Sequence, residues 1–321
     1  MKNVISKVFS AHGKLLLTGE YLVLDGAKAL AIPTRFGQQM RISTHSGGMR
    51  LSWTARDHQG KNWFHTTLSS LSPTTVQTDH SAEEKRLLQI LQAAAQQSPR
   101  IWETHLATRS IETTLDFDRN WGLGTSSTLI SLLAQYLEID PYRLLADTFG
   151  GSGYDLACAV ADKPILYVLE DGLPCPQAHG RRAQMEALNW QPGWLRHTYF
   201  VYLDQKQNSR AGIRRYRERG ATAEQIKQIT NLTGSLIGAN SLIEAQSILK
   251  THEEIISHII DLPPVQQTHF PDFPGVVKSL GAWGGDFVWA LTDQGDEWCI
   301  DYFKTKGYKT VLPFIDMILD K

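Results

Sequence analysis

The sequence has few cysteines and no long apolar run, and each shortage excludes a class of protein. Its three cysteines, Cys158, Cys175 and Cys299, are far apart and form no C-x-x-C pair. An odd number at such spacing is typical of a reducing compartment and argues against a disulfide framework. No run of about 18 apolar residues occurs, so we expect no membrane-spanning helix. The N-terminal residues lack the apolar region of a signal peptide, which favours a cytoplasmic protein.

The charge balance shows no excess of either sign. The chain has 32 Lys and Arg against 33 Asp and Glu, which gives a formal net charge of −1 over 321 residues. Proteins that bind nucleic acid usually carry a basic surface, so this balance argues against such a partner. Hydrophobic residues make up 42% and charged residues 20%, which is ordinary for a globular protein. The length is sufficient for two medium-sized domains or one large domain.

The most informative stretch is a glycine-rich turn at Gly122–Ser127, with the sequence G-L-G-T-S-S. Apolar residues then recur at three- and four-residue spacing from Leu129 to Leu137, which predicts an amphipathic helix from about Ser126. The first N–H groups of a helix have no partner within it, and the helix dipole adds positive potential there. The turn is therefore a candidate phosphate site, and the Ser127 hydroxyl is a candidate Mg²⁺ ligand. An ordinary capped helix after a glycine turn is the alternative.

Residue periodicity predicts a β-rich first part and a more helical second part. The predicted strands are Val4–Ser10, Lys14–Leu24, Ala29–Pro33, Gln38–Ser43, Arg50–Ala55, Asn62–Thr66, Trp102–Phe117, Ile165–Glu170, Thr198–Leu203 and Phe287–Leu291. The predicted helices are Ser81–Gln97, Ser126–Ile139, Pro141–Phe149 and a long helical region from Thr222 to Ile260. The stretch Asp171–Gly193 is rich in Pro, Gly, Gln and Arg, which indicates a connection between domains.

Four motifs, in order along the chain, resemble those of the GHMP kinases, a family that includes galactokinase, homoserine kinase, mevalonate kinase and phosphomevalonate kinase. The first is S-A-H-G-K-L-L-L-T-G-E-Y-L-V-L at Ser10–Leu24, and the second is the loop Gly122–Ser127. The third is S-G-Y-D at Ser152–Asp155, and the fourth is G-A-W-G-G-D at Gly281–Asp286. Because the order is kept over nearly the whole chain, the combination is far more specific than any single motif.

Small differences within the family favour one branch. Tyr21 follows Glu20 here, as in phosphomevalonate kinases, whereas mevalonate kinases usually have His at that position. Asp286 at the end of the last motif favours the same branch. The chain also departs from the family, because His12 replaces a usual Pro and Trp283 replaces a usual Gly.

The resemblance implies an enzyme that uses ATP and Mg²⁺, with Lys14 and Asp155 as catalytic residues. The residues implied in binding the ATP phosphates are Gly122, Leu123, Gly124, Thr125, Ser126 and Ser127. Mg²⁺ would be held by Ser127, and Asp147 is the nearest acidic candidate for a second ligand. The residues implied in acceptor binding are Glu20, Ser152, Lys206, Ser209, Arg210 and Gly284. A solvated helix-face carboxylate is the alternative for Asp147, and a solvated basic helix face is the alternative for the tract from Lys206 to Arg219.

The resemblance also implies an α+β fold of two domains, residues 1–171 and 172–321, with the ATP cleft between them. The expected function is a small-molecule kinase most similar to phosphomevalonate kinase, in the mevalonate route to isoprenoids. Mevalonate kinase, diphosphomevalonate decarboxylase and a non-catalytic binding protein on the same scaffold are the alternatives. The expected partner is a small-molecule phosphate acceptor, not nucleic acid or a membrane, and the chain is expected to be a monomer or a homodimer.

Overall fold

The computed structural model describes residues 6–46, 48–71, 81–169, 183–205, 209–281, 283 and 286–319. These residues form two β-sheets with helices packed against them, which confirms the predicted α+β class. Within these ranges, no helix has both the length and the apolar character needed to cross a membrane.

The larger sheet is built from the first part of the chain. Its strands are β1 (Lys7–Leu16), β2 (Ala29–Thr44), β3 (Leu51–Arg56), β4 (Asn62–Leu68), β5 (Arg109–Leu115), β6 (Ile165–Leu169) and β7 (Ala183–Ala187). They lie in the order β4-β3-β5-β2-β6-β7, with β1 paired to β2. The β3–β5 pair is parallel and the other pairs are antiparallel.

The smaller sheet has four antiparallel strands from the second part of the chain. They are β8 (Thr198–Tyr202), β9 (Val276–Ser279), β10 (Phe287–Leu291) and β11 (Val311–Pro313), in the order β11-β8-β10-β9. β8 and β10 are buried on both faces, which accounts for their continuous apolar sequences T-Y-F-V-Y and F-V-W-A-L.

The α-helices of the described residues are α1 (Ala82–Gln97), α2 (Thr125–Leu137), α3 (Pro141–Thr148), α4 (Tyr154–Val160), α5 (Ser209–Arg219), α6 (Ala223–Gly238), α7 (Leu242–Ile260), α8 (Val265–His269), α9 (Asp296–Thr305) and α10 (Phe314–Met317). Helix starts follow the expected capping chemistry. The Ser81 hydroxyl accepts from the N–H of Glu84 at α1, and Thr222 forms a reciprocal capping box with Gln225 at α6.

The two sheets share an apolar core, which fixes the two halves of the chain against each other. Leu30 and Ile32 of β2 belong to the same buried cluster as Phe200 of β8 and Trp289 of β10. A separate core joins the larger sheet to helices α1, α2, α3 and α4, and it therefore fixes the start of α2 relative to β1. The candidate site residues Lys14, Ser127 and Asp155 lie on β1, α2 and α4.

The structure corrects several predicted strand bounds. Two predicted strands merge in β1, with a bulge between His12 and Lys14, and two more merge in β2. The strand predicted over Lys14–Leu24 ends at Leu16, because Gly19 and Tyr21 have positive φ angles and Leu22–Asp25 form a 3₁₀ turn. The first part of the strand predicted over Trp102–Phe117 is a helical turn at Trp102–Leu106, before β5 begins.

The predicted domain boundary at residue 171 lies outside the described residues. The next described strand, β7, still belongs to the larger sheet, and the smaller sheet begins with β8 at Thr198. The division into 1–171 and 172–321 therefore stays a prediction, and so does an ATP cleft between the two parts.

Candidate active site

The loop Gly122–Ser127 leads into α2 in a conformation that suits an anion site. Gly122 and Gly124 have φ of 67° and 97°, which residues with a Cβ rarely adopt. A Cβ at Gly122 would overlap the Asp286 carboxylate, and one at Gly124 would lie 2.7 Å from Ser127 Oγ. Gly124 is the N-cap of α2 and has no side chain to bond the first-turn N–H groups. These N–H groups are therefore left for a ligand oxygen.

Lys14 extends from β1 to the same loop. Its backbone N–H donates to the carbonyl oxygen of Leu123 (2.9 Å), and its Nζ donates to the carbonyl oxygen of Gly122 (2.9 Å). The side chain is half-buried, so its ammonium group lies at the edge of the loop and not in the core. The predicted catalytic lysine and the predicted phosphate loop are thus brought together by direct hydrogen bonds.

Asp155 lies at the start of α4, beside Ser127. The backbone N–H of Leu156 donates to Asp155 Oδ1 (3.1 Å). The Ser127 hydroxyl is near enough to lower the pKa of this carboxyl. Burial raises the pKa of Asp155 above its ordinary value, while the positive charge of Lys14 is the largest influence that lowers it. A carboxylate beside a cation, with its pKa raised by its surroundings, is typical of a catalytic site.

The Ser127 hydroxyl is within 2.9 Å of the carbonyl oxygen of Gly124, to which it donates. Together with the Asp155 carboxylate, it offers hard oxygen atoms of the kind that Mg²⁺ prefers, with phosphate oxygens and water expected to supply the rest. Asp147 lies on the exposed side of α3 and pairs with Arg143 at 3.9 Å. In the described ranges, no group of three or more His, Cys, Asp or Glu side chains could hold a metal ion. The donor set at Ser127 and Asp155 fits Mg²⁺ shared with a nucleotide, and the role of Asp147 stays a prediction.

The fourth motif meets the phosphate loop through Asp286, whose carboxylate lies against Gly122. Trp283, which replaces a usual Gly, has a φ of 62° and so keeps the left-handed backbone that Gly would adopt. Such a conformation costs a bulky residue about 1–2 kcal/mol. The Trp283 side chain is 6% exposed and packs in a core cluster with Tyr21 and Ile256, which offsets this cost.

The predicted acceptor residues of the first half are buried. Glu20 is 1% exposed and forms an ion pair with Lys278, a partner that local sequence patterns do not indicate. Ser152 is also buried, and its carbonyl oxygen accepts a bond from the Tyr167 hydroxyl (2.6 Å). The Tyr154 ring lies 5.9 Å from Lys14 Nζ and connects these residues to the loop.

Four predicted acceptor contacts stay predictions. Lys206 and Gly284 lie outside the described residues, as do the side chains of Ser209 and Arg210. Further along the same helix, Arg217 pairs with Asp25 at 2.7 Å and Arg219 pairs with Asp261 at 3.2 Å. These two arginines connect α5 to neighbouring elements through ion pairs, which the alternative of a solvated helix face did not anticipate.

Sequence reasoning missed three residues that support the first motif from the second half of the chain. His252 and Glu253 on α7 and Lys278 on β9 surround Glu20 in the core. A signal was present at Lys278, since a charged residue after two valines in a short buried strand needs a partner. Its partner, 258 positions earlier in the chain, could not be identified from local patterns.

No protein-family model matches the chain, and no curated protein sequence matches it either. Solved structures do match over nearly the whole length. The Lin0012 protein from Listeria innocua superposes with a TM-score of 0.70 at 15% identity, covering 96% of this chain and 97% of that one. Streptococcus pneumoniae phosphomevalonate kinase, in complex with phosphomevalonate and AMPPNP, gives a TM-score of 0.66 at 16% identity, over 94% and 95%.

L. major mevalonate kinase, in complex with R-mevalonate, gives a TM-score of 0.66 at 13% identity, covering 97% of this chain and 96% of that one. The chain therefore has the fold of the GHMP kinases, as the sequence motifs predicted. At these identities the likeness shows the fold and does not fix a substrate.

Proposed function

We propose that this protein is an ATP- and Mg²⁺-dependent small-molecule kinase of the GHMP type, with phosphomevalonate as its acceptor. The observation that carries the proposal is the convergence of Lys14, Ser127 and Asp155 on one glycine-rich loop at a helix start. Phosphoryl transfer depends on positioning and charge neutralisation, which these groups provide. The GHMP kinase fold supports the reaction class.

In the proposed reaction the loop N–H groups bind the nucleotide phosphates, as helix starts bind other anions. Ser127 and Asp155 would hold Mg²⁺, which supplies positive charge to the phosphate oxygens when it is bound. Lys14 stands beside the loop and stabilises the negative charge that spreads over the transferred group. Its hydrogen bond to the Gly122 carbonyl oxygen orients the ammonium group before substrates bind.

The role of Asp155 depends on the acceptor. An alcohol has a pKa about 11 units above that of a free aspartic acid, so complete proton transfer before bond formation would cost about 15 kcal/mol. Asp155 would therefore take the proton late, as the new P–O bond forms. A phosphate acceptor is already anionic near neutral pH and needs orientation and cations in place of a base.

The choice of phosphomevalonate is supported by Tyr21 after Glu20 and by Asp286 at the end of the fourth motif. The predicted acceptor contacts Lys206 and Arg210 add to this choice, because a phosphorylated acceptor brings extra negative charge. Mevalonate kinase differs at the first of these positions, and mevalonate is accordingly the main competing acceptor.

A substrate panel tests the proposal. ADP release from Mg·ATP would be followed with mevalonate, phosphomevalonate, diphosphomevalonate and galactose, and ADP release without any acceptor would set the background. We expect phosphomevalonate to give the highest kcat/KM. Nucleotide binding without acceptor-dependent ADP release would instead support a non-catalytic binding protein. A preference for mevalonate would support the kinase reaction and identify mevalonate as the acceptor.

A further inference from the structure

Four ionisable side chains form a cluster in the core, and we refer to Glu20, His252, Glu253 and Lys278 as the buried charge cluster. They are 1%, 0%, 4% and 0% exposed. Lys278 Nζ is bonded to Glu20 Oε1 and to the carbonyl oxygen of Ser279 (2.9 Å), and it lies 3.9 Å from Glu253 Oε2. The cluster thus connects the first motif with α7 and β9, which belong to the second half of the chain.

His252 has a specific role in this cluster. The backbone N–H of Gly19 donates to His252 Nε2 (3.0 Å), so this nitrogen carries no proton and the ring is neutral. Burial lowers the pKa of His252 well below its ordinary value, and the charge of Lys278 acts in the same direction. His252 is therefore a fixed hydrogen-bond acceptor for the backbone of the first motif.

The cluster is poorly suited to a purely stabilising role. Within the described part of the chain, Glu20 Oε2, His252 Nδ1 and Glu253 Oε2 have no hydrogen-bond partner. Each buried polar atom without a partner costs about 1–3 kcal/mol. Well-packed apolar side chains would often stabilise such a site as much or more. The presence of charged groups here points to a positional requirement.

The segment that the cluster holds is a turn with unusual backbone geometry. Gly19 and Tyr21 have φ of 85° and 62°, and the second value is strained for a residue with a ring. The turn is closed by bonds from Val23 N–H to Gly19 O and from Leu24 N–H to Tyr21 O, both 2.9 Å. Strained backbone persists only where the surrounding structure fixes it, and strain of this kind is concentrated at functional sites.

The turn lies next to the candidate active site. The negative charges of Asp155 and Glu20 both act on the buried Tyr154 hydroxyl, which is close to Lys14. The Tyr21 ring stacks on Tyr216 of α5 at 5.7 Å. The turn therefore contacts α5 and lies near Tyr154 at the start of α4, whereas the phosphate loop precedes α2.

We infer that His252 and Lys278 are positioning residues, which hold the Gly19–Tyr21 turn in the strained conformation needed on the acceptor side of the site. The inference rests on the proposed kinase function. His252 fixes the turn through the Gly19 N–H, and Lys278 fixes it through the Glu20 carboxylate. Neither residue touches the phosphate loop, so nucleotide binding does not depend on them.

A matched pair of variants at His252 tests this inference. In His252→Gln the side-chain oxygen can still accept the Gly19 N–H bond, whereas His252→Leu removes the acceptor. We expect kcat/KM for phosphomevalonate to fall about 5- to 100-fold in His252→Leu and to be largely retained in His252→Gln. The Kd for Mg·AMPPNP, measured by calorimetry, should be unchanged in both variants.

Hydrogen exchange of the amides in residues 19–24 gives a readout that needs no acceptor. We expect faster exchange in His252→Leu than in His252→Gln, beyond any difference in global stability. Equal exchange in the two variants, or a matching loss of nucleotide affinity, would overturn the inference. If the wild-type protein released no ADP with any acceptor, the proposed function would fail, and exchange alone would decide whether His252 holds the turn.

Discussion

Two regions of this molecule each place a lysine near a carboxylate, but in different surroundings. Lys14 and Asp155 are half-buried beside the phosphate loop, whereas Lys278 and Glu20 are completely buried. Lys14 Nζ is hydrogen-bonded to a backbone carbonyl oxygen of the loop that would hold the phosphates. Lys278 Nζ is instead occupied by Glu20 and by the backbone of Ser279.

The difference in burial separates residues that can act on the substrate from residues that hold other elements in place. A group that stabilises or accepts charge during a reaction must be reached by the substrate and must keep some freedom. A buried pair cannot meet the substrate, but it fixes the elements that carry it. We therefore expect changes at Lys14 and Asp155 to reduce turnover at constant stability, and changes in the buried charge cluster to alter stability and geometry.

Asp155→Asn should give the largest effect on turnover. If the acceptor is a hydroxyl group, kcat should fall about 10²- to 10⁴-fold, which is the usual contribution of a positioned base. If the acceptor is a phosphate, the loss should be smaller, because no proton has to be removed and only the contribution of Asp155 to Mg²⁺ binding is lost. Both proteins would be compared at saturating substrates from pH 6 to 9. An unchanged kcat with every accepted substrate would remove Asp155 from the mechanism.

The same variant should not lose stability. Since burial raises the folded-state pKa of Asp155, its ionised form at neutral pH opposes folding, and a neutral Asn removes that cost. We expect the Tm of Asp155→Asn at pH 7 to equal or exceed that of the wild type. A clear decrease in Tm would show instead that Asp155 stabilises the folded protein.

Ser127→Ala should give the next largest effect. Loss of the hydroxyl removes a candidate Mg²⁺ ligand, so we expect a 10- to 100-fold loss of kcat/KM for Mg·ATP. This factor corresponds to the usual free energy of one hydrogen bond to a charged group. The loss should be greatest at limiting Mg²⁺ and smaller at high Mg²⁺. Thr128→Ser, which keeps a hydroxyl one position further along α2, is the control. Wild-type turnover at limiting Mg²⁺ would argue against the ligand assignment.

Glu253→Gln should have the smallest effect, and it appears in the pH dependence of stability. Burial raises the pKa of Glu253 from 4.5 to about 7, while Lys278 and the Ser279 N–H lower it and Glu20 raises it. Between pH 4.5 and about pH 7, the Glu253 carboxyl is therefore protonated in the folded state and ionised in the unfolded state. The wild-type free energy of unfolding should therefore fall, relative to Glu253→Gln, by up to about 1.4 kcal/mol per pH unit as the pH rises.

Denaturant unfolding at pH 5 and pH 8 would measure this difference. We expect the wild type to be the relatively more stable protein at pH 5 and to lose that advantage by pH 8. Parallel pH dependences for the two proteins would show that Glu253 does not titrate in this window.

Much of the fold and of the loop chemistry could be predicted from the sequence, because both depend on local patterns. The glycines of Gly122–Ser127 and the helical periodicity after them are close together in the chain, and the structure places them as expected. The α1 helix ends at Gln97, as the Ser98-Pro99 sequence predicted. The order of the four motifs predicted the GHMP kinase fold, which solved structures of low sequence identity share.

The buried charge cluster could not be predicted in this way. Glu20 was expected to contact the acceptor, and no local pattern marks His252 or Glu253 as its neighbours. Their connection depends on how α7 and β9 pack against the first motif, which is a property of the tertiary structure. The positive φ of Tyr21 could not be predicted either, because the sequence around it is typical of an extended strand.

The most direct test of the central comparison is to make the same substitution at the two lysines and measure Tm and acceptor-dependent ADP release. We expect Lys14→Met to keep the wild-type Tm and to lose at least about 10²-fold in kcat, because a charge that stabilises the transferred group is removed. We expect Lys278→Met to lower Tm by about 10 °C, since Glu20 and Glu253 are left buried without their cation. A destabilised Lys14→Met, or a Lys278→Met with wild-type Tm, would contradict the division between a reacting pair and a positioning pair.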